Sequence, residues 1–163
     1  MIQAARTFTI STDKKKLDVA MIYGFLRQSY WAKDISLSSL LKAIESSFCV
    51  GLFDGSKQVG FCRIITDYAT FAYLCDVFIV EEYRGRGWGK EMIDFCLNHP
   101  DLNNLRQWLL LTKDAQKFYQ KCGFKQVENS QRIMSINNGN SKNLTQETSL
   151  LSPLPPAPCS PAT

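Results

Sequence analysis

The stretch "VFIVEEYRGRGWGKEMIDFCL", Val77 to Leu97, decides the fold because it joins a strand to a helix through a glycine-rich turn. An apolar run comes first, then two glutamates, and then Gly85, Gly87 and Gly89 at alternate positions. The residues after the turn have helical spacing. The first N–H groups of a helix have no partner inside it and lie at the positive end of its dipole. Such a turn is therefore suited to binding an anion.

Two arginines alternate with these glycines, and an arginine can bind a phosphate through two parallel hydrogen bonds. Two common phosphate loops do not fit the sequence. The pattern G-x-x-x-x-G-K-[ST] fails at Glu91, and G-x-G-x-x-G fails at Lys90, where it requires glycine. A flexible glycine-rich turn without a ligand is the alternative. The pattern that remains is R-x-x-G-x-G, formed by Arg84, Gly87 and Gly89.

The rest of the first 136 residues gives strand and helix signals in the order β-α-α-β-β-β-α-β-α-β, which is typical of a mixed α/β domain. The predicted strands are 6–11, two strands around an Asp54-Gly55 hairpin turn within 48–66, 69–80, 106–112 and 131–136. The predicted helices are 17–28, with Thr12 or Asp13 as the N-cap, 36–47, 87–98 and 114–124.

The composition of the 163 residues excludes several classes of protein. A net charge of +4 is too small to indicate nucleic-acid binding, and the six cysteines form no C-x-x-C pair beside the single histidine. We therefore expect no nucleic-acid partner and no metal site, with the cysteines acting as small buried hydrophobic residues. No signal-peptide pattern and no run of about 18 apolar residues is present, so we expect a cytoplasmic protein without a membrane span.

The composition changes near residue 137. Residues 137–163 hold five of the six prolines and no aromatic residue. We predict a domain over residues 1–136 and a Pro/Ser/Asn-rich tail over 137–163 that is disordered or docked at the periphery. The segment "PLPPAP" is compatible with a polyproline II ligand of an SH3-like groove, and an inert tail is the alternative.

The glycine turn resembles motif A of the GNAT N-acetyltransferase superfamily, [QR]-x-x-G-x-[GA] between a strand and a helix. The segment "LLLTKDAQKFYQKCGF", residues 109–124, resembles the second block of that family, a strand followed by A-x-x-F-Y-x-x-x-G-F. The two blocks together, in this order and spacing, are more specific than either alone. The resemblance covers residues 6–136 and implies an α/β (α+β) fold, with a mixed, mostly antiparallel central sheet flanked by helices.

The resemblance also implies a cofactor site. Acetyl-coenzyme A would be the co-substrate, with its pyrophosphate on the glycine turn and its pantetheine arm added along strand 69–80 where that strand splays from strand 106–112. An asparagine that the family places after the second strand is replaced here by Thr112, Lys113 or Asp114, so we expect that contact to be altered. The cofactor-binding residues that the resemblance implies are Phe78, Ile79, Val80, Arg84, Gly85, Arg86, Gly87, Trp88, Gly89, Lys90, Thr112, Ala115 and Phe118.

Catalytic roles follow from the same resemblance. Tyr119 matches the tyrosine that protonates the departing thiolate, although a ring that only packs is the alternative. The oxyanion is expected on a backbone N–H near Ile79 or Val80. Asp76 is the leading candidate for the base because an unpaired carboxylate in an apolar strand is costly. A structural carboxylate at Asp76 is equally open, and the other candidate bases are Asp67, Glu81 and Glu82.

Strand alternation bears on Asp76 as well. It predicts Asp76, Phe78 and Val80 on one face of the strand, and the odd-numbered residues from 73 to 79 on the second face. The residues predicted on that second face are Tyr73, Cys75, Val77 and Ile79.

The acceptor side is less defined by the sequence. Tyr30 and Trp31 lie in a predicted loop, and Asp67 and Tyr68 could line the same cleft, which would suit an aliphatic or aryl amine. The resemblance implies an acetyl-coenzyme A dependent N-acetyltransferase acting on a small-molecule or peptide amine, as a monomer or homodimer. The alternative is a binding module that senses acyl-coenzyme A without turnover.

Overall fold

The computed structural model describes residues 8–137, which contain one five-stranded sheet. Its strands lie side by side in chain order, the first four antiparallel and the fifth parallel to the fourth. The predicted fold class, a mixed and mostly antiparallel sheet with helices, is confirmed. The predicted tail lies outside the described residues from 138 onward. The strands are β1 (Phe8–Ser11), β2 (Phe48–Asp54), β3 (Lys57–Thr66), β4 (Phe71–Ile79) and β5 (Gln107–Leu109).

Four α-helices lie within the described part of the chain. Each begins and ends inside the segment that the sequence predicts for it, but the N-cap of α1 differs from the prediction. The Asp18 carboxylate accepts a hydrogen bond from the Met21 N–H at 2.9 Å and caps α1, whereas Asp13 caps the short 3₁₀ turn Lys14–Lys16. None of the helices within residues 8–137 has the length and apolar character that crossing a bilayer requires. The helices are α1 (Val19–Leu26), α2 (Leu37–Glu45), α3 (Trp88–Leu97) and α4 (Gln116–Lys121).

Hydrophobic side chains cover both faces of the sheet. Each fully buried side chain contributes about 1.5–3 kcal/mol to folding, so these two layers hold the sheet between its helices. Four of the five cysteines within residues 8–137 are buried, as expected of small hydrophobic residues. The layer beneath α3 and α4 includes Val50, Ile64, Met92, Ile93 and Phe118. The layer beneath α1 and α2 includes Ile22, Leu26, Leu40, Phe61 and Phe78.

A bulge interrupts β4 at Asp76. Phe61 of β3 lies opposite Phe78, but Arg63 lies opposite Cys75, so β4 has one more residue than β3 over this interval. Asp76 has φ +52, a left-handed conformation that is uncommon for a residue other than glycine.

The predicted alternation along β4 is therefore wrong across the bulge. Ala72 and Leu74 contribute to the same hydrophobic layer as Val77 and Ile79, because the extra residue shifts the alternation by one. A bulge of this kind re-aims the side chains on either side of it.

The fifth strand is shorter than predicted. It extends over three residues and pairs only with Phe71–Tyr73 at the start of β4. Among residues 8–137, the remaining part of β4, residues 74–79, has no strand partner on this side. A run of leucines predicts a strand but not how far its pairing extends. The splay on which the predicted cofactor site depends is thus present.

The predicted strand at 131–136 is wrong. Ser130–Arg132 forms a short 3₁₀ turn, and residues 133–137 have no partner strand among the described residues. Met134 and Ile136 are 93% and 89% exposed. Six residues of alternating pattern do not make a strand unless a neighbouring strand satisfies their backbone groups.

Candidate active site

The glycine turn, residues 84–89, begins α3. Gly87 is the N-cap residue with φ +79, and Gly85 has φ +73. A Cβ atom at either position would meet no atom within 4 Å, so the left-handed backbone, not lack of space, requires glycine here. This conformation leaves the first N–H groups of α3 without a side-chain cap. They are the groups that an anion at a helix N-terminus would bind.

Both arginines of the turn are held by neighbouring groups. The Arg84 Nε donates a hydrogen bond to the Ile79 carbonyl at 2.9 Å, which ties the turn to the end of β4. The Arg86 guanidinium lies over the rings of Tyr83 and Trp88, with its carbon 5.0 and 5.3 Å from their centroids. Two cationic side chains are thereby fixed beside the helix N-terminus.

The remaining predicted residues of the turn contribute through backbone groups. Trp88 and Gly89 are buried, and their N–H groups precede the first helical hydrogen bond of α3, from the Glu91 N–H to the Gly87 carbonyl. Lys90 is exposed, and its ammonium group forms an ion pair with Asp94 one helical turn later. A ligand at the turn would therefore compete with Asp94 for Lys90.

The open edge of β4 leads from the turn into the splay. The Val80 N–H donates to the Val59 carbonyl at 2.9 Å, and backbone groups of successive residues in an antiparallel ladder point to opposite sides. Phe78 and Val80 therefore direct their backbone groups toward β3, whereas Ile79 and Val77 direct theirs to the open edge. The prediction of Val80 as an oxyanion donor is wrong because its N–H is already bonded. Val77 was missed, since the bulge that sets its direction is not visible in the sequence.

A cavity of about 430 Å³ occupies the splay; we call it the central cavity. It lies between β4, the loop after α1, the segment after β5 and the start of α4. Five of the predicted site residues line it: Tyr30, Trp31, Asp76, Thr112 and Tyr119. The lining residues that the prediction did not include are Tyr73, Leu74, Cys75, Val77, Leu111, Lys113 and Asp114.

Tyr119 is buried at the junction of the central cavity with a second cavity of about 300 Å³ between β5 and residues 124–130. Among the described residues, no group is within hydrogen-bond distance of its hydroxyl. Burial, with smaller effects from neighbouring thiols such as Cys62 and Cys122, raises the pKa of the Tyr119 phenol well above its usual value. The phenol therefore keeps its proton at any ordinary pH.

Asp76 is held by side chains of distant residues. Its Oδ2 accepts a hydrogen bond from the Arg63 Nε at 2.7 Å, and its Oδ1 accepts one from the Trp31 Nε1 at 3.2 Å. Arg63 in turn donates to the Ser47 hydroxyl at 3.1 Å. Both carboxylate oxygens are thus occupied, which fits a structural carboxylate better than a free base.

The loop after α1 carries two aromatic residues into the central cavity. The rings of Tyr30 and Trp31 form an edge-to-face pair with centroids 5.0 Å apart. The Lys113 N–H donates to the Tyr30 hydroxyl at 3.3 Å, which connects this loop to the segment before α4. The Ser29 hydroxyl donates to the Leu26 carbonyl at 2.7 Å and fixes the start of the loop.

Other predicted acceptor residues lie elsewhere. Asp67 is at the tip of the β3–β4 hairpin, where it accepts hydrogen bonds from the N–H groups and hydroxyl of residues 69–71, and these bonds lower the pKa of its carboxyl. Tyr68 contacts Phe48 with ring centroids 6.4 Å apart. The structure therefore does not bring Asp67 or Tyr68 to the central cavity. Glu81 and Glu82 are exposed just before the glycine turn and do not line the central cavity either.

The second sequence block builds the floor of the cavity. The Thr112 hydroxyl accepts a hydrogen bond from the Ala115 N–H at 3.0 Å and so helps to begin α4. Ala115 and Phe118 are buried in the core, and Gly123, with φ +95, ends the helix. The Phe118 ring packs against the Tyr119 ring, with centroids 5.1 Å apart, while Thr112 lines the cavity.

The chain is similar to known proteins in sequence and fold. Residues 45–126 match the family described as Acetyltransferase (GNAT) domain. A protein of Gibberella zeae named as an acetyltransferase is 34% identical over 136 residues, covering 70% of this chain and 76% of that protein. A solved structure from Xanthomonas campestris, described as belonging to the GNAT family, is 44% identical with TM-score 0.78 and covers 80% of this chain and 93% of that one.

The fold also occurs in a structure from Clostridium acetobutylicum that contains acetyl-coenzyme A. It is 14% identical with TM-score 0.59, and the match covers 80% of this chain and 95% of that one. The family match covers half of the chain, and it includes the glycine turn, β4 and α4. The chain belongs to the GNAT acetyltransferase family.

Proposed function

We propose that the protein transfers the acetyl group of acetyl-coenzyme A to a primary amine by direct attack, as an N-acetyltransferase. The observation that carries this proposal is the continuity of one edge of the molecule. The glycine turn, the open backbone groups of β4 and Tyr119, which lines the central cavity, follow one another along the same splay. A site for a pyrophosphate, an extended arm and a reacting thioester requires this order.

The cofactor half fits acetyl-coenzyme A for physical reasons. The helix N-terminus with Arg84 and Arg86 offers N–H groups and charge to a pyrophosphate. The Val77 carbonyl and the Ile79 N–H can bond to the amides of an extended arm as a neighbouring strand would, while the Ile79 carbonyl stays bonded to Arg84. The acetyl-coenzyme A in the Clostridium acetobutylicum structure supports this use of the fold.

The reaction needs two groups at the thioester. The amine nitrogen forms a bond to the carbonyl carbon, the carbonyl electrons move to oxygen, and the carbon–sulfur bond then breaks. We assign the N–H group of Val77 to the oxyanion, because Val77 lines the central cavity. We assign Tyr119 to the leaving sulfur, because its phenol stays protonated and can donate to a thiolate.

The amine must also lose a proton. Asp76 is engaged by Arg63 and Trp31, so we assign it to positioning the cavity wall and not to proton acceptance. Asp114 lies at the rim of the central cavity and has no hydrogen-bond partner for its carboxylate among residues 8–137. We assign the proton to Asp114 or to water, which reaches the rim beside this exposed residue.

The test is the release of coenzyme A thiol together with mass spectrometry of the amine. We expect thiol release that depends on both acetyl-coenzyme A and an amine, with one acetyl group added to the nitrogen for each thiol formed. Binding of acetyl-coenzyme A without turnover of any amine would instead support a sensor of acyl-coenzyme A. Failure to bind acetyl-coenzyme A would remove both proposals.

A further inference from the structure

Aromatic side chains from separate elements converge on the central cavity. Tyr30 and Trp31 come from the loop after α1, Tyr73 from β4, and Tyr119 from α4. We call Tyr30, Trp31 and Tyr73 the aromatic wall. Their rings, together with the apolar side chains of Leu74 and Leu111 that also line the cavity, make it a largely apolar space.

The aromatic wall is fixed although it faces solvent. Trp31 is 36% and Tyr30 is 40% exposed, yet each is held by a bond to another element. Asp76 accepts from the Trp31 indole, and the Tyr30 hydroxyl accepts from the Lys113 N–H. Two exposed aromatic rings that are held in one orientation, and not packed in the core, form a pre-organised surface for a ligand.

Among the described residues, the central cavity offers an amine one unpaired carboxylate, that of Asp114. Asp76 forms an ion pair with Arg63, whose side chain is 14% exposed, so its carboxylate is not available to a second cation. Asp114 lies at the rim next to Lys113, and both residues line the cavity. A polyamine or a lysine-rich peptide would need several unpaired carboxylates, which the cavity does not offer.

We infer that, if the proposed function holds, the acceptor is a small primary monoamine that carries an aromatic ring on a short chain. The ring would pack against the aromatic wall. The Lys113 ammonium lies 5.7 Å from the Tyr30 ring centroid, so the ammonium form of the acceptor would meet the Trp31 ring instead. A volume of about 430 Å³ accommodates one ring and the end of the acyl donor. The inference rests on the proposed function for its chemistry and on the aromatic wall for its specificity.

The first experiment compares acceptors on the wild-type protein by thiol release. The probes are 2-phenylethylamine, spermidine and a lysine-containing peptide, each with saturating acetyl-coenzyme A. We expect kcat/KM for 2-phenylethylamine to exceed the other two at least tenfold. A preference for spermidine or the peptide would overturn the acceptor class while leaving the N-acetyltransferase proposal intact.

The second experiment assigns this preference to the aromatic wall. Trp31→Ala should raise KM for 2-phenylethylamine at least tenfold and leave KM for acetyl-coenzyme A within twofold. Tyr68→Ala is the matched control, since Tyr68 is an exposed aromatic residue outside the cavity, and it should leave both constants unchanged. Trp31→Phe, which keeps a ring, should lie between wild type and Trp31→Ala. Equal effects of the Trp31 and Tyr68 variants would refute the assignment.

A binding measurement distinguishes failure of the proposed function from failure of the proposed acceptor site. If no amine releases thiol although acetyl-coenzyme A binds, the proposed function fails. The aromatic site is then decided by melting curves with coenzyme A and 2-phenylethylamine. A rise of the midpoint in wild type that is lost in Trp31→Ala retains the site, and no rise in wild type removes it.

Discussion

The two halves of the cleft are built in different ways. The proposed cofactor half consists of consecutive residues, 84–89, whose backbone conformation would make the site. The acceptor half consists of side chains that are far apart in the chain: Trp31 and Asp76, which share a hydrogen bond, are 45 residues apart. A site made by backbone in one short segment leaves a motif in the sequence, whereas a site made by distant side chains does not.

The two halves therefore also differ in the substitutions that they can tolerate. Every residue except proline can donate a backbone N–H, so apart from the glycines that the turn requires, the cofactor half constrains few side chains. The acceptor half depends on pairs such as Arg63 with Asp76, in which each member needs the other. The variants below probe the junction of the halves, then each half alone, and then a site outside both.

The largest effect is expected where the two halves meet. Tyr119→Phe should lower kcat about 10²–10³-fold, because it removes the proton donor to the leaving sulfur. KM for both substrates should change little, since the ring stays in place. Steady-state thiol release measures both. Turnover that survives unchanged in Tyr119→Phe would falsify the acid role, and Tyr68→Phe serves as the control for loss of a tyrosine hydroxyl.

The pH profile gives a second view of Tyr119. Its pKa is raised above the value of about 10 of an ordinary tyrosine, so the protonated donor persists through that pH. The rate should therefore rise from pH 7 toward pH 9 as more amine becomes neutral, without a fall caused by Tyr119. A decline of kcat below pH 9 in protein that stays folded would contradict this assignment.

The next-largest effect is expected from a substitution in the acceptor half alone. Asp76→Ala leaves the Arg63 charge, with its side chain 14% exposed, without its carboxylate, and should lower the free energy of unfolding by about 3 kcal/mol. Urea denaturation measures the loss. The double variant Arg63→Met, Asp76→Asn should recover part of it, because it removes the uncompensated charge and keeps a residue that tolerates φ +52. If Asp76→Ala is as stable as wild type, the ion pair between Arg63 and Asp76 does not stabilise the fold.

A smaller effect belongs to the cofactor half. Gly87→Ala places a side chain at φ +79, which costs about 1 kcal/mol, and should weaken acetyl-coenzyme A binding by about fivefold or more. Titration calorimetry measures the affinity. Gly24→Ala is the matched control: Gly24 is exposed in α1, and its replacement should add about 0.5–1 kcal/mol of stability without changing the affinity. Equal affinities of the two variants would contradict the role of the turn.

The smallest effect is expected outside both halves. Asp67→Asn removes a carboxylate whose hydrogen bonds to residues 69–71 lower its pKa, so the melting midpoint at pH 7 should fall slightly with no change in kcat. The stabilisation is present above the unfolded pKa of about 3.9 and is lost as the pH falls through the lower folded value. The difference between variant and wild type should thus shrink in acid. A loss of activity in Asp67→Asn would instead indicate that Asp67 acts in the active site.

The sequence predicted the parts of the fold that local chemistry determines. The Asp54-Gly55 hairpin, the Gly87 start of α3 and the Gly123 end of α4 each follow from residues that favour one backbone conformation. The short β5, the absent strand at 131–136 and the bulge at Asp76 depend on which neighbour is present to pair. No pattern within one segment contains that information.

The same distinction applies to the site residues. Tyr119, predicted from a block that is contiguous with the helix that carries it, lines the central cavity. Asp76 was identified as a carboxylate in an apolar strand, but its partner Arg63 became visible only when β3 and β4 were paired. Tyr73 and Val77 were missed as cavity residues because an extra residue in the strand changes which way they face.

The most direct test of the central claim is a thermal melt with acetyl-coenzyme A, coenzyme A, ATP and NAD added separately. A ligand that binds only the folded state must raise the midpoint. The account predicts a clear rise with both coenzyme A forms, little with ATP or NAD, and a reduced rise in Gly87→Ala. No rise with either coenzyme A form, in protein that melts cooperatively, would contradict the assignment of the glycine turn and the open edge of β4 to this cofactor.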